Sequence, residues 1–143
     1  KERVEKIKNY LKKFGIDALA SQDAILEGLD SARRFVDSKG IYIADVVLVP
    51  LEDGDRCEIL KKHGKKVVAI DLNPLSRTSQ MADYSIVDNV VRAIPNMVRF
   101  AKELKELDRR ELRKIVDEYN NNEILKNAIL AIRDHLLNKA SSI

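Results

Sequence analysis

Hydrophobic and polar positions alternate with helical spacing at the start of the chain. The apolar positions there are Val4, Ile7, Leu11 and Phe14. Lys and Glu fill most of the positions between them, and Gly15 follows the last one. This pattern predicts an amphipathic helix that ends near Gly15.

Three later runs predict strands. Residues 41–51 (IYIADVVLVPL) and 65–72 (KKVVAIDL) are rich in β-branched and apolar residues, which is typical of strands covered on both faces in a parallel sheet. Residues 83–87 predict a third, short strand. Three strands make a thin sheet, so either residues 18–20 form a fourth strand or sequence outside this chain completes the sheet.

Helices are predicted between and after these strands. Residues 57–64 predict a short helix, and a helical turn is expected near Ser79. Residues 90–107 predict a longer helix that either starts or bends at Pro95. Residues 24–36 predict either a helix or an ordered loop.

The C-terminal third is predicted to be helical. Asp108 is expected to cap a helix, with Glu111 three residues on as in a capping box. Residues 120–122 (NNN) end that helix, and the last one is predicted from Glu123 to about Lys139. For its apolar face, packing on the core is favoured over packing on a partner; the residues are Ile124, Leu125, Ile129, Ile132 and Leu136. Alternating strands and helices indicate an α/β fold with a parallel sheet.

Composition and charge narrow the class of protein. Of the 143 residues, 45% are hydrophobic and 34% charged, which indicates one globular domain covering residues 1–143. The net charge of +3 is spread over both signs and gives no basic stripe for nucleic acid. No apolar run is long enough for a membrane span. The first residue is not Met, so we expect the chain to be part of a longer protein.

Cysteine and histidine usage argues against a metal site or a disulfide framework. Cys57 is the single cysteine, which favours a reducing, cytoplasmic location. A half-buried helix position is the favoured interpretation of Cys57, ahead of a nucleophile. His63 and His135 have no metal-ligand spacing with it, so no metal ligand is assigned.

Polar side chains follow each predicted strand, where open α/β sheets bind ligands. The three segments are EDGDR (residues 52–56), DLNPLSRT (residues 71–78) and DNVVR (residues 88–92). Each also has a purely structural interpretation. Asp53, Gly54 and Asp55 are equally well explained as a turn with a helix cap, and Asp88 or Asn89 alone favours a cap.

Arg77 is the sharpest candidate for ligand chemistry. It lies among three hydroxyls, Ser76, Thr78 and Ser79, after the second predicted strand. A guanidinium in that position suits phosphate oxygens. Neither G-x-x-x-x-G-K-[ST] nor G-x-G-x-x-G occurs, so any nucleotide would be bound without those two loops.

Long strings in the sequence resemble a known family. GIYIADVVLVPLEDGDR, VVAIDLNPLSRTSQMADYSIVDNVVRAIPNM and IVDEYNN are similar to archaeal phosphopantothenate synthetase, a 4-phosphopantoate–β-alanine ligase. The resemblance runs from about Glu2 to about Leu137 and covers the C-terminal half, or slightly more, of a full family member. It implies a Rossmann-like, nucleotide-binding fold, an ATP-dependent, AMP-forming ligase of coenzyme A biosynthesis that works through an acyl-adenylate, and a homodimer.

The resemblance also implies site residues, with ATP and Mg²⁺ as the nucleotide and metal. Carried over position by position, the ATP contacts are Asp71, Leu72, Asn73, Arg77, Thr78, Asn89 and Val90. Arg77 and Thr78 are assigned to phosphates, because cations and donors stabilise the charge that develops in adenylation. Asp71 and Asn73 are assigned to the nucleoside, and Asn89 and Val90 are expected to offer backbone groups.

Several roles stay open. The candidates for contacts to Mg²⁺, to the β-alanine amine or to the acyl phosphate are Glu52, Asp53, Asp55 and Arg56. No catalytic residue is assigned. Further ATP contacts of the family lie in its other half, so this chain alone is expected to be an incomplete and inactive ligase. The alternative function is a non-catalytic nucleotide-binding or regulatory module.

Overall fold

The computed structural model describes residues 2–29 and 32–142, which form an α/β fold with a parallel sheet, as predicted. The helices are α1 Glu2–Lys12, α2 Gly54–Lys62, α3 Arg77–Met81, α4 Val90–Leu104, α5 Arg109–Glu118 and α6 Asn121–Ala140. The strands are β1 Ala24–Ile25, β2 Phe35–Val36, β3 Val46–Val49, β4 Lys66–Ile70 and β5 Tyr84–Ile86. None of the described helices combines the length and the apolar character that crossing a membrane requires.

Strands β3, β4 and β5 form the parallel sheet, in that order across it. Val46 pairs with Lys66 at the start of the sheet, and Ile70 pairs with Ile86 at its end. Because the strands are parallel and in step, their carboxyl ends meet at one edge. The segments that follow the strands are thereby brought together.

The sheet is packed on one face only, so the expectation that its strands are covered on both faces is wrong for this chain. The core is formed by alternate positions of the sheet strands, by α2 and by the region of β1 and β2. Its main members are Leu26, Val36, Val49, Cys57, Leu60, Val67 and Ala69. On the other face, Val46 is 57% exposed and Leu48 is 41% exposed. Only Ile70 is buried there, because α4 leaves most of its apolar side chains in solvent.

Residues 18–20 form no strand, so the prediction of a fourth strand there is wrong. Among the described residues of 24–36, the chain instead forms a two-stranded antiparallel ladder, β1 with β2, and a 3-10 turn at Ala32–Arg34 lies between the two strands. Part of that prediction falls on Asp30 and Ser31, outside the described residues. Val36 of β2 belongs to the hydrophobic core, and so does Leu26, which directly follows β1.

Two element boundaries differ from the predictions, and one predicted helix cap is confirmed. The first sheet strand covers Val46–Val49 rather than residues 41–51, because a turn occupies the residues before Ala44. Helix α4 begins at Val90 and runs through Pro95, so the alternative that it starts at the proline is wrong. The capping box of Asp108 and Glu111 at the start of α5 is confirmed.

Amphipathic helices keep much of their apolar surface exposed. Ile7 within α1 and Phe14 just after it are 54% and 65% exposed. Along α6, core packing is confirmed for Leu125 alone; Ile124, Ile129, Ile132 and Leu136 are exposed. The reason is that only the first turns of α6 contact the sheet, while the rest of the helix extends away from it.

The junction between α5 and α6 is tied to the sheet by polar side chains. The Ser85 N–H donates to the Tyr119 hydroxyl at 2.8 Å, and this hydroxyl lies 3.0 Å from Oδ1 of Asn121. The Asn121 amide donates to the carbonyls of Ser79 and Ala82, at 3.1 and 3.3 Å. The NNN segment therefore both separates the helices and anchors α6.

Cys57 is a core residue of α2, and it is more deeply buried than the half-buried position expected. Burial raises the pKa of its thiol to about 11, and the negative charges of Asp53 and Asp71 add to the effect. A thiol with such a pKa is almost entirely protonated near neutral pH. A nucleophilic role is therefore not supported.

We predict that Asn121→Ala lowers the free energy of unfolding by about 1–3 kcal/mol, because it removes the amide that donates to the carbonyls of Ser79 and Ala82, of which the Ser79 carbonyl keeps the Ser85 hydroxyl as a donor. Urea titration followed by circular dichroism measures the change. Asn122→Ala, one residue along on an exposed position, is the matched control and should change stability by under about 0.5 kcal/mol. Equal losses in the two variants would contradict the anchor.

We predict that Cys57 resists alkylation in the folded protein. At pH 8.5 about half of an ordinary cysteine is thiolate, whereas a pKa of about 11 leaves under about 1%. Mass spectrometry after iodoacetamide treatment should show an unmodified folded chain and a fully modified chain in urea. Rapid labelling of the folded protein would contradict the burial.

Candidate functional site

The segments that follow β3, β4 and β5 enclose a cleft at the carboxyl edge of the sheet. This edge cleft has a volume of about 220 Å³, and it is lined by Pro50, Leu51, Glu52, Ile70, Asp71, Leu72, Asp88, Asn89 and Val90. Four of the predicted ATP contacts therefore share one cleft: Asp71, Leu72, Asn89 and Val90. Glu52, one of the open candidates, lines the same cleft.

The turn after β4 is held together by its own polar side chains. The Asp71 carboxylate accepts from the N–H of Asn73, at 2.9 Å, and from the Ser76 hydroxyl. The Asn73 side-chain oxygen accepts from the N–H of Leu75 at 2.9 Å. Ser76 caps α3 by accepting from the N–H of Ser79 at 3.0 Å. The Asp, Asn and Ser side chains of this segment therefore already have structural roles within the turn.

The hydroxyls beside Arg77 point into the protein. Thr78 is fully buried, and its Oγ1 accepts from the N–H of Asp53 at 3.0 Å. Ser79 is buried as well and donates to the carbonyl of Asn73 at 3.0 Å. The predicted phosphate contact of Thr78 stays a prediction, and the structure shows what its hydroxyl does instead: it joins α3 to the start of α2.

Asn89 caps α4 and Asp88 supports that cap. The Asn89 side chain accepts from the N–H of Val91 at 2.9 Å. The Asp88 carboxylate accepts from Nε of Arg92, at 2.8 Å, and from the N–H of Asn89, at 2.7 Å; these bonds hold its pKa below the usual range. The structural interpretation of these two residues is therefore confirmed. Their position in the edge cleft leaves the backbone at the start of α4 close to any ligand there.

A second cleft, of about 410 Å³, lies on the other side of the segment after β3 and includes Arg77 in its lining. Five charged side chains on its wall alternate in sign: Arg33, Asp55, Arg77, Glu58 and Lys62. We call this set the charge row. Arg33 and Asp55 are 3.2 Å apart, and Lys62 and Glu58 are 2.8 Å apart. Between them, Arg77 donates to both carboxylates.

Electrostatics within the charge row favour the charged form of every member with a shifted pKa. Hydrogen bonds from Lys62 and then Arg77 lower the pKa of Glu58. The hydrogen bond to Glu58, followed by the charge of Asp55, raises the pKa of Arg77. Arg77 therefore stays cationic, with one carboxylate on either side and about half of its side chain exposed.

The segment between the clefts contains the four candidates with open roles. Glu52 faces the edge cleft, and Asp55 belongs to the charge row. Asp53 caps α2 by accepting from the N–H of Arg56, and it pairs with Arg33 at 2.7 Å. Arg56 donates to the carbonyl of Arg33 at 3.3 Å. Asp53 and Arg56 thus have structural partners, while Glu52 and Asp55 border space for a ligand.

Three members of the charge row were missed by sequence reasoning. Glu58 and Lys62 are four residues apart on a predicted helix, which shows a shared face but is a common surface pattern. Arg33 lies in the segment for which helix and loop both remained open. In the described part of the chain, no three His, Cys, Asp or Glu side chains converge as a metal site.

Comparison with known proteins identifies the family to which the chain belongs. The family model for phosphopantothenate/pantothenate synthetase matches residues 1–135. A 4-phosphopantoate–β-alanine ligase of Thermococcus kodakarensis is 52% identical over 138 residues, which cover 94% of this chain and 53% of that protein. The ligase of the same name from Methanosarcina mazei is 52% identical over 141 residues, covering 97% of this chain and 55% of the relative.

A third ligase of that name, from Methanospirillum hungatei, is 44% identical over 137 residues, covering 96% of this chain and 55% of the relative. The chain thus spans about half the length of the curated relatives it matches. That this is their C-terminal half stays a prediction. With residues 1–135 matched by the family model, the chain belongs to the phosphopantothenate/pantothenate synthetase family.

Proposed function

We propose that the protein containing this chain joins 4-phosphopantoate to β-alanine in an ATP-dependent reaction through an acyl-adenylate, releasing AMP and pyrophosphate. The observation that carries the proposal is the edge cleft, where three parallel strands deliver Asp71, Glu52 and the start of α4 to one place. Relatives at 44–52% identity with the matching ligase name support the choice of substrates.

The edge cleft fits the nucleoside part of ATP. Leu51 and Leu72 are largely exposed and offer apolar surface for a base. Among the described residues, two donors reach the Asp71 carboxylate, which keeps acceptor capacity for ribose hydroxyls. At about 220 Å³ the cleft is smaller than the ~300–1,000 Å³ common for small-molecule pockets, so the phosphates must extend beyond it.

Arg77 is the cation that the phosphates would meet outside the edge cleft. It follows the Asp71 turn by a few residues and lies at the start of α3, exposed on the side of the second cleft. In our proposal it stabilises the charge that develops on the α-phosphate and on the departing pyrophosphate. Mg²⁺ would arrive bound to those phosphates, and Glu52 or Asp88 in the edge cleft could supply a carboxylate ligand.

The reaction itself is tested by product analysis. The intact protein should form AMP only when ATP and 4-phosphopantoate are both present, and should form 4′-phosphopantothenate only when β-alanine is added. Chromatography of the nucleotides and mass spectrometry of the acid measure both. ATP-dependent thermal stabilisation with no AMP under any condition would favour the alternative of a non-catalytic nucleotide-binding module.

The role of Arg77 is tested by Arg77→Ala in the same protein. We expect kcat/KM for ATP to fall about 100-fold, since one charge-stabilising donor is lost. Arg113→Ala is the matched control, because Arg113 is also an exposed arginine paired with an aspartate, Asp117, at 3.1 Å. The control should stay within about twofold of the wild type. An unchanged kcat/KM in Arg77→Ala would remove the phosphate assignment.

A further inference from the structure

The charge row differs from an ordinary set of surface charges in its order. Along the wall of the second cleft, each carboxylate lies between two cations, and no two groups of like sign are paired with each other. Glu58 has 28% of its side chain exposed and the other four side chains between 46% and 64%. A ligand in the cleft can therefore reach charges of both signs.

The ion pairs of the row are of the kind that can exchange partners. Exposed ion pairs contribute little net stability, because water solvates both charges when they separate. A bound ligand that supplies equivalent charges can replace one partner at small cost, and the cleft then shields the new contact from water. The floor favours such shielding, since it is formed by Leu29 and Ile59, both buried, and by Gly28.

Glycine at position 28 is required by that floor. Its φ is +99°, a conformation that side chains rarely adopt, and an added Cβ would lie 2.7 Å from Cδ1 of Ile59. The backbone therefore approaches α2 closely below Glu58 and Lys62. This packing shapes the cleft beneath the charged wall.

The order of the charges selects the ligand class. A free phosphate dianion drawn to the cations would also face Asp55 and Glu58, whereas the ATP phosphates that meet Arg77 in the proposed function carry Mg²⁺ to offset those carboxylates. A simple cation would face three positive groups. A short zwitterion, with an ammonium and a carboxylate a few bonds apart, meets an opposite charge at both ends. Neighbouring members of the row, such as Glu58 and Lys62, offer that pair of charges on successive turns of one helix.

We propose that the second cleft is the subsite for the amino-acid substrate, with Glu58 and Asp55 binding its ammonium group and Lys62 binding its carboxylate. The inference rests on the proposed function, in which β-alanine is the amine that is acylated. Glu58 and Asp55 flank Arg77, the residue assigned to the phosphates. An amine held between them is next to the group that carries the activated acyl phosphate.

The chain provides a matched control for the Glu58–Lys62 pair. Glu2 and Lys6 on α1 have the same residue types, the same order and spacing, and a similar separation of 2.7 Å. That pair lines neither of the clefts described above. A general effect of removing a surface ion pair should appear in both places, whereas an effect on the amino acid should appear only at Glu58 and Lys62.

The first experiment uses Glu58→Gln and Glu2→Gln in the intact protein. In Glu58→Gln we expect KM for β-alanine to rise about tenfold, and we expect pyrophosphate exchange with ATP and 4-phosphopantoate alone, which needs no amino acid, to change less. Glu2→Gln should match the wild type in both assays. An unchanged KM for β-alanine in Glu58→Gln, with exchange intact, would overturn the subsite.

The second experiment separates the two ends of the ligand. Lys62→Met should lower kcat/KM for β-alanine about tenfold and leave that for β-alaninamide within about twofold, because the amide has no carboxylate for the lysine to bind. Lys6→Met is the control. Equal losses for the two substrates would overturn the assignment of Lys62.

Failure of the proposed function gives a different result. If the wild-type protein catalyses no pyrophosphate exchange, the adenylation step is wrong whatever the second cleft binds. Calorimetric titration with β-alanine then tests the subsite by itself. Binding that is weakened in Glu58→Gln but not in Glu2→Gln would support the subsite, and absence of binding to the wild type would overturn it.

Discussion

A partly buried hydrogen bond from the Asp53 N–H to the Thr78 hydroxyl, 3.0 Å long, fixes the geometry of both clefts. It joins the start of α2 to the start of α3, two helices that follow different strands. The approach is so close that a Cβ on Gly54 would lie 2.9 Å from Cβ of Arg77. Because of this tie, the segment after β3 forms a wall with Glu52 on one side and Asp55 on the other. A residue larger than glycine at position 54 would push α2 and α3 apart and distort both clefts.

The hydroxyl side chains in the sequence after β4 mostly serve the Asp53–Thr78 hydrogen bond and the hydrogen bonds of the turn. Within α3, Thr78, Ser79 and the Ala82 that follows face the core, whereas Arg77 and Gln80 face solvent. Ser76 and Ser79 hydrogen-bond backbone groups of the turn, namely the N–H of Ser79 and the carbonyl of Asn73. Arg77 is thus the member of the group left for a ligand. Sequence alone identified the segment but not this division, because the direction of each side chain depends on where the short helix begins.

The sequence predicts well the features that follow from the parallel strand topology. It predicts poorly the contacts between side chains that are far apart in the chain. Parallel strands must bring their following segments to one edge, so the meeting of Asp71 with Asn89 was predictable without coordinates. The charge row depends on Arg77 meeting Asp55 across 22 residues and on the position of Arg33, which lies between the two strands of a ladder with two residues in each strand. The predicted cover on both faces of the sheet failed for a related reason, since periodicity shows that a strand is apolar but not what packs on it.

The two clefts are linked through the charges around Arg77. Phosphate oxygens that take the guanidinium would release Asp55 and Glu58 from their shared cation, leaving two carboxylates near each other and near a polyanion. An ammonium group arriving there restores the alternation of charge. In the proposed function, binding of the nucleotide would therefore favour binding of the amino acid and, by thermodynamic reciprocity, the amino acid would favour the nucleotide. A single arginine between two carboxylates would give this coupling with no movement of the backbone, because only side-chain ion pairs on the protein surface would be exchanged.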